Sequence, residues 1–114
     1  TARSLASRRI ERNDRLSGSL CDAIITPQPG EITFPINKRL CGPGLVVTED
    51  EALHAMALAF ARLKIVIEPG GAVALAAALF RPEQLSGDAV IAVASGGNVD
   101  AELFAKVLEE FGEG

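Results

Sequence analysis

An α/β fold, part of an open parallel sheet with flanking helices, is what this sequence predicts, and three observations predict it. The run Val90, Ile91, Ala92, Val93 and Ala94 is short, rich in β-branched residues and apolar on both faces, as a covered parallel strand would be. It stops at Ser95-Gly96-Gly97-Asn98-Val99-Asp100, where the glycines permit a sharp turn and Asp100 can cap a helix from Ala101. Finally, 48% of the residues are hydrophobic but only 4% aromatic, so the core is aliphatic and alanine-rich, which suits helices packed on a sheet. At 114 residues the chain amounts to one domain at most, residues 1–114.

The chain opens with helical propensity from Thr1 to Arg9. Leu5 and the neighbouring Ile10 are the only large apolar residues there, so this helix must lie on something else. The first residue is not methionine and reads as the middle of a helix, so a fragment of a longer protein is expected. Arg3, Arg8, Arg9, Arg12 and Arg15 are interrupted by Glu11 and Asp14 and read as a solvated basic face. Ser17-Gly18-Ser19 is a turn. Leu20 to Thr26 is a short apolar segment ended by Pro27, Pro29 and Gly30, an anchored loop in which Asp22 serves as a turn or cap residue.

Thr33 reads as the cap of a helix running to Leu40, with Pro35 in its first turn; Cys41-Gly42-Pro43-Gly44 ends it as a connector. Leu45, Val46 and Val47 form a short strand. Thr48 and Glu51 then make a capping box, and Leu53, Met56, Ala57 and Phe60 recur on one face of a helix of about four turns. His54 falls beside that stripe and reads as a surface histidine. Ile65, Val66 and Ile67 are a strand or the end of the helix. Glu68-Pro69 opens another helix, whose glycines and alanines from Gly70 to Ala78 allow close packing. A polar connection from Arg81 to Asp88 leads to the Val90 strand and a last helix with Phe104, Val107, Leu108 and Phe111 on one face, frayed near Glu109 and Glu110.

The net charge of −4 and a pI near 4.9 argue against nucleic acid or an anionic membrane as partner. No apolar stretch is long enough to span a bilayer, and the expected location is the cytoplasm. Cys21 and Cys41 lack the spacing of a zinc site and read as free thiols.

Two segments, Ser95-Gly96-Gly97-Asn98 after a hydrophobic run and Ile67-Glu68-Pro69-Gly70-Gly71-Ala72 upstream of it, together resemble the pyridoxal-phosphate enzymes of the threonine/serine dehydratase family, the fold-type-II group similar to the tryptophan synthase β subunit. The resemblance implies that Ser95 contacts the pyridine nitrogen of the cofactor, with Gly96 beside it and Glu68 near the ring. It also implies that the loop from Leu20 to Thr26 passes the ring, with Asp22-Ala23 where an aspartate-glycine pair is usual, so that Asp22 has a role near the ring as the alternative to a turn or cap, and with the Thr26 hydroxyl reaching a substrate. Alanine narrows the backbone freedom that glycine would have at that point. A hydroxyl donates to a neutral pyridine nitrogen, and the weaker electron sink suits elimination.

By the same resemblance, no catalytic residue lies in this chain. The family's Schiff-base lysine belongs to a Ser-x-Lys motif upstream, and Lys38, Lys64 and Lys106 have no such context. Carboxylates for a divalent cation would also lie upstream. The expectation is therefore the C-terminal part of an ammonia-lyase acting on a small β-hydroxy amino acid, inactive alone, completed by the N-terminal remainder, homo-oligomeric, and followed by no regulatory domain. Two alternatives stand beside it. One is a non-catalytic partner-binding module or split-enzyme half, and the other a racemase or β-replacement enzyme of the same fold type.

Overall fold

A computed structural model describes residues 1–14 and 18–112; Arg15 of the basic cluster and Ser17 of the predicted turn lie outside the described residues. Five α-helices follow in order: α1 (Ala2–Ser7), α2 (Thr33–Leu40), α3 (Glu49–Leu63), α4 (Pro69–Phe80) and α5 (Ala101–Phe111), with 3₁₀ turns at Asp22–Ile24 and Pro82–Gln84. They fall into two compact units, Thr1–Val46 and a second that begins at Val47.

In the first unit, α1 ends where Arg8 takes the left-handed conformation, φ 63°. The chain then folds back, and the buried Ser4 hydroxyl accepts a hydrogen bond from the Glu11 N–H at 2.9 Å. Arg3, exposed as a solvated face requires, also donates to the Arg12 carbonyl at 2.9 Å and to Asn13 Oδ1 at 3.1 Å. Asn13 in turn donates to the Pro27 and Thr26 carbonyls. Thr33 is not the cap of α2. Ile32 before it already has helical backbone angles, so the Thr33 hydroxyl turns back to the Gly30 carbonyl at 3.4 Å. Phe34, Pro29 and Cys21 are buried, and Cys41 is an exposed free thiol.

The second unit is a helical assembly built on α3. The Thr48 hydroxyl accepts from the Glu51 N–H at 3.1 Å, and the Glu51 carboxylate accepts from the Thr48 N–H at 2.9 Å, so the predicted capping box is present. Lys64 ends α3 with φ 59°, and its Nζ donates to the Ala61 carbonyl, satisfying one of the orphan acceptors of the last turn. That left-handed residue separates Ile65 to Ile67 from the helix. Ala55, Ala57 and Ala59 of α3 and Ala72 and Ala76 of α4 are at most 1% exposed, and they share one core with Met56, Ile67 and Val107. Small side chains on both helices let the two approach closely.

Phe104 of α5 meets Phe60 of α3 edge-on at 5.4 Å between ring centres. His54 is no surface residue: it lies half-buried between Phe80 at 5.3 Å and Phe111 at 5.7 Å. Both phenylalanines close their own helices, so the imidazole fills the space where two helix ends converge on α3. Glu51 and Arg81 tie the start of α3 to the end of α4 through two hydrogen bonds, of 2.6 and 2.8 Å.

The predicted sheet is the main difference. Residues 45–47, 65–67 and 90–94 lie outside the helices, and no strand pairing forms among the described residues. Val90, Ile91 and Val93, predicted as buried, are 52%, 91% and 66% exposed. A parallel strand takes its hydrogen bonds and its cover from elements distant in sequence, whereas α4 and α5 both pack on α3 and leave this run without a neighbouring strand.

Candidate functional site

The start of α4 and the turn at residues 95–99 are built against each other. Glu68 is extended, with φ −76° and ψ 162°, and Pro69 follows as the first helical residue, where its missing N–H costs nothing. The Glu68 N–H is thereby left outside the helix, and it donates to the Gly96 carbonyl at 2.9 Å. The Gly97 carbonyl accepts from the Val99 N–H, also at 2.9 Å, tightening the turn. Asp100 then caps α5, its Oδ1 accepting from the Glu102 and Leu103 N–H groups at 2.9 and 3.3 Å.

Three glycines make this contact possible. A Cβ placed on Gly71 would lie 2.7 Å from the Gly96 carbonyl oxygen, one on Gly96 would lie 2.5 Å from Glu68 Oε1, and one on Gly97 would lie 2.5 Å from the Val66 carbonyl oxygen. At Gly71 and Gly97 close backbone approach, and not an unusual φ, calls for glycine, whereas the atom facing Gly96 is the end of the Glu68 side chain.

Ser95, Gly96 and Glu68, singled out from the sequence, thus come together in the second unit. Ser95 is exposed, and its hydroxyl donates to no described protein atom. Glu68 is half-buried beside the Gly96 backbone. Ala23 and Thr26 share one loop of the first unit. Ala23 is an exposed member of the 3₁₀ turn, and the Thr26 backbone carbonyl accepts from Asn13 Nδ2 at 2.8 Å. Asp22 opens that turn.

Gly71 was legible as a site of close packing and Gly97 as part of a sharp turn. The sequence signal was glycine next to a proline-started helix and glycine doubled after an apolar run; the resemblance put both segments near one ring, but nothing in their pattern showed that Gly71 and Gly96 touch. A cavity of about 570 Å³ in the same unit, lined by Ala57, Phe60, Arg62, Lys64 and Leu108, includes none of the turn's residues. Among the described residues no group of three or more His, Cys, Asp or Glu side chains is placed to hold a metal ion, and no helix is long and apolar enough to cross a membrane.

The Arg81 guanidinium, by its hydrogen bond, holds the Glu51 carboxyl below its ordinary value of 4.5, and the Thr48 N–H adds to the effect.

Comparison with known proteins gives four likenesses. Residues 2–96 match the sequence profile of the family described as "Pyridoxal-phosphate dependent enzyme". The chain is 40% identical over 111 residues to a serine racemase of Dictyostelium discoideum, covering 95% of this chain and 34% of that protein. It is 32% identical over 108 residues to an L-threonine ammonia-lyase of Thermotoga maritima, covering 93% of this chain and 27% of that protein. The fold matches the crystal structure of a T.th. threonine deaminase with a TM-score of 0.80 and 38% identity, over 87% of this chain and 35% of that one. The chain therefore spans about a third of the length of these relatives.

Proposed function

Because the chain belongs to the pyridoxal-phosphate dependent enzyme family, we propose that it is the C-terminal part of an ammonia-lyase converting a small β-hydroxy amino acid, L-threonine or L-serine, to a 2-oxo acid and ammonia. The observation that carries this reading is the exposed Ser95 hydroxyl, unpartnered within the described residues, on a turn whose glycines bring it against the start of α4. Relatives named threonine ammonia-lyase and threonine deaminase support the choice of reaction.

The residues present fit the family's cofactor. A hydroxyl with no protein acceptor is free to donate to a ring nitrogen, and Gly96 and Gly97 put no side chain between the backbone and a flat ligand. Pyridoxal phosphate supplies, when bound, an electron sink for the bonds at the substrate's α-carbon. Ser95 would hold the ring nitrogen neutral through its Oγ–H and orient that edge of the ring. Glu68, beside the Gly96 backbone, would place a carboxylate near the ring, and Ala23 would form part of its surroundings. The Thr26 hydroxyl would orient the substrate. The lysine that anchors the cofactor, and any carboxylates for a divalent cation, would come from the N-terminal remainder.

A second reading, racemisation of serine, is favoured by the 40% identity to the Dictyostelium racemase. One assay separates the two. Full-length protein with L-threonine and L-serine should release 2-oxo acid and ammonia; D-serine as the dominant product would replace the lyase reading with the racemase one. The proposal includes a cytoplasmic homo-oligomer acting on a small amino acid. This chain alone should turn over neither substrate when supplied with the cofactor, and turnover by the isolated chain would sink the division of labour proposed here.

A further inference from the structure

We infer that Gly71 is a positioning residue for Ser95: the absence of a side chain at Gly71 fixes where the Gly96 peptide sits, and through it where Ser95 presents its hydroxyl. This inference rests on the cofactor reading above.

A Cβ on Gly71 would meet the Gly96 oxygen at 2.7 Å, the Gly96 nitrogen at 3.1 Å and Ile67 Cγ2 at 3.0 Å. Two of those three atoms are backbone, so no side-chain rotation relieves the contact. Either α4 or the turn must move. The helix is held by Ala72, 0% exposed, immediately after Gly71, and Ile67 on the near side is 1% exposed in the same core. The turn is the softer partner, because Ser95, Gly97 and Asn98 are exposed. Displacement therefore falls on the Gly96 peptide, which also risks its hydrogen bond from the Glu68 N–H.

On the other side, Gly97 lies against the Val66 carbonyl, so the turn is clasped between residues 66 and 71. Ser95 is exposed and inherits its position from the glycines that follow it. Glycine at position 71 runs against the preference of an otherwise alanine-rich helix, and the clasp supplies a reason.

The test is a double-mutant cycle on the cofactor dissociation constant of the full-length protein, stripped and titrated with pyridoxal phosphate. Ser95→Ala and Gly71→Ala should each raise the constant by about tenfold, and the double variant by no more than about twofold beyond the larger single effect, because both remove the same contact. Multiplicative effects, about a hundredfold together, would mean that Gly71 acts on α4 alone, and would overturn the inference. Ala76→Gly, buried in the same helix, should lower the melting temperature and leave the constant and the bound cofactor's absorption spectrum unchanged; a shift equal to that of Gly71→Ala would also overturn it.

If Gly71→Ala does not fold, Gly97→Ala should show the same coupling to Ser95→Ala, and an unchanged constant in Gly97→Ala would be fatal. A Ser95→Ala variant that binds as tightly as wild type would remove the cofactor reading and the inference with it. Weakened Ser95→Ala binding with multiplicative Gly71→Ala removes the inference alone.

Discussion

At the scale of single residues, Ser95 and Glu51 illustrate two different uses of an oxygen atom. Ser95 Oγ is left without a described protein partner at an exposed turn, so its replacement by alanine should cost the fold less than about 0.5 kcal/mol, as for surface substitutions in general. In the full-length enzyme, Ser95→Ala should weaken cofactor retention and lower turnover; equal occupancy and rate in dialysed samples would refute the role. Glu51 is committed twice, to the Thr48 N–H and to Arg81. Its carboxyl is held below the ordinary value of 4.5 in the folded state, first by the Arg81 hydrogen bond. Stability from this group is fully present above the unfolded value and is lost as pH falls through the lower folded value. Melting temperatures followed from about pH 6 to pH 3 should therefore fall less steeply in Glu51→Gln than in wild type; parallel curves would show that the pair does not titrate with folding.

Among the helices and turns, α3 and α5 are started by side-chain caps read correctly from the sequence, Thr48 with Glu51 and Asp100. Capping is local chemistry, settled within three or four residues, which is why it was legible. Asp100→Ala leaves two N–H groups of α5 without their acceptor and should destabilise by about 1 kcal/mol, read as a drop in melting temperature with Asp100→Asn as the milder control. Met56 lies fully buried in α3. Met56→Ala should cost about 2–5 kcal/mol by opening a cavity, and a loss below the lower bound would mean that the alanine-rich interface collapses into the space. Thr33 and His54 were misread for opposite reasons. At Thr33 the neighbouring Ile32 adopts helical angles one residue earlier than the hydroxyl at Thr33 suggested. At His54 the decisive neighbours, Phe80 and Phe111, are 26 and 57 residues away in sequence, beyond the reach of any periodicity. The meeting of Gly71 with Gly96 is of the same kind: each glycine was visible, and the contact between them was not.

For the molecule as a whole, the helices were read from pattern and the sheet was expected from the same pattern, yet only the helices form among the described residues. Helical hydrogen bonds close within the segment, whereas a strand is completed by another chain segment. The relatives are about three times as long as this chain, and the mass of the native gene product is accordingly the first quantity to measure. A product much heavier than 11.9 kDa directs the lyase and racemase assays to that species; a product of this mass directs them to a split enzyme or a binding module. The uncovered run at residues 90–94 also carries a cost in handling. With Ile91 at 91% and Val93 at 66% exposure, it is a short β-branched ribbon without charge, the composition that templates aggregation between like chains. Solutions of the isolated chain should scatter light increasingly with concentration, and Ile91→Lys should clear them. Solubility on its own would then report whether that ribbon has found its cover.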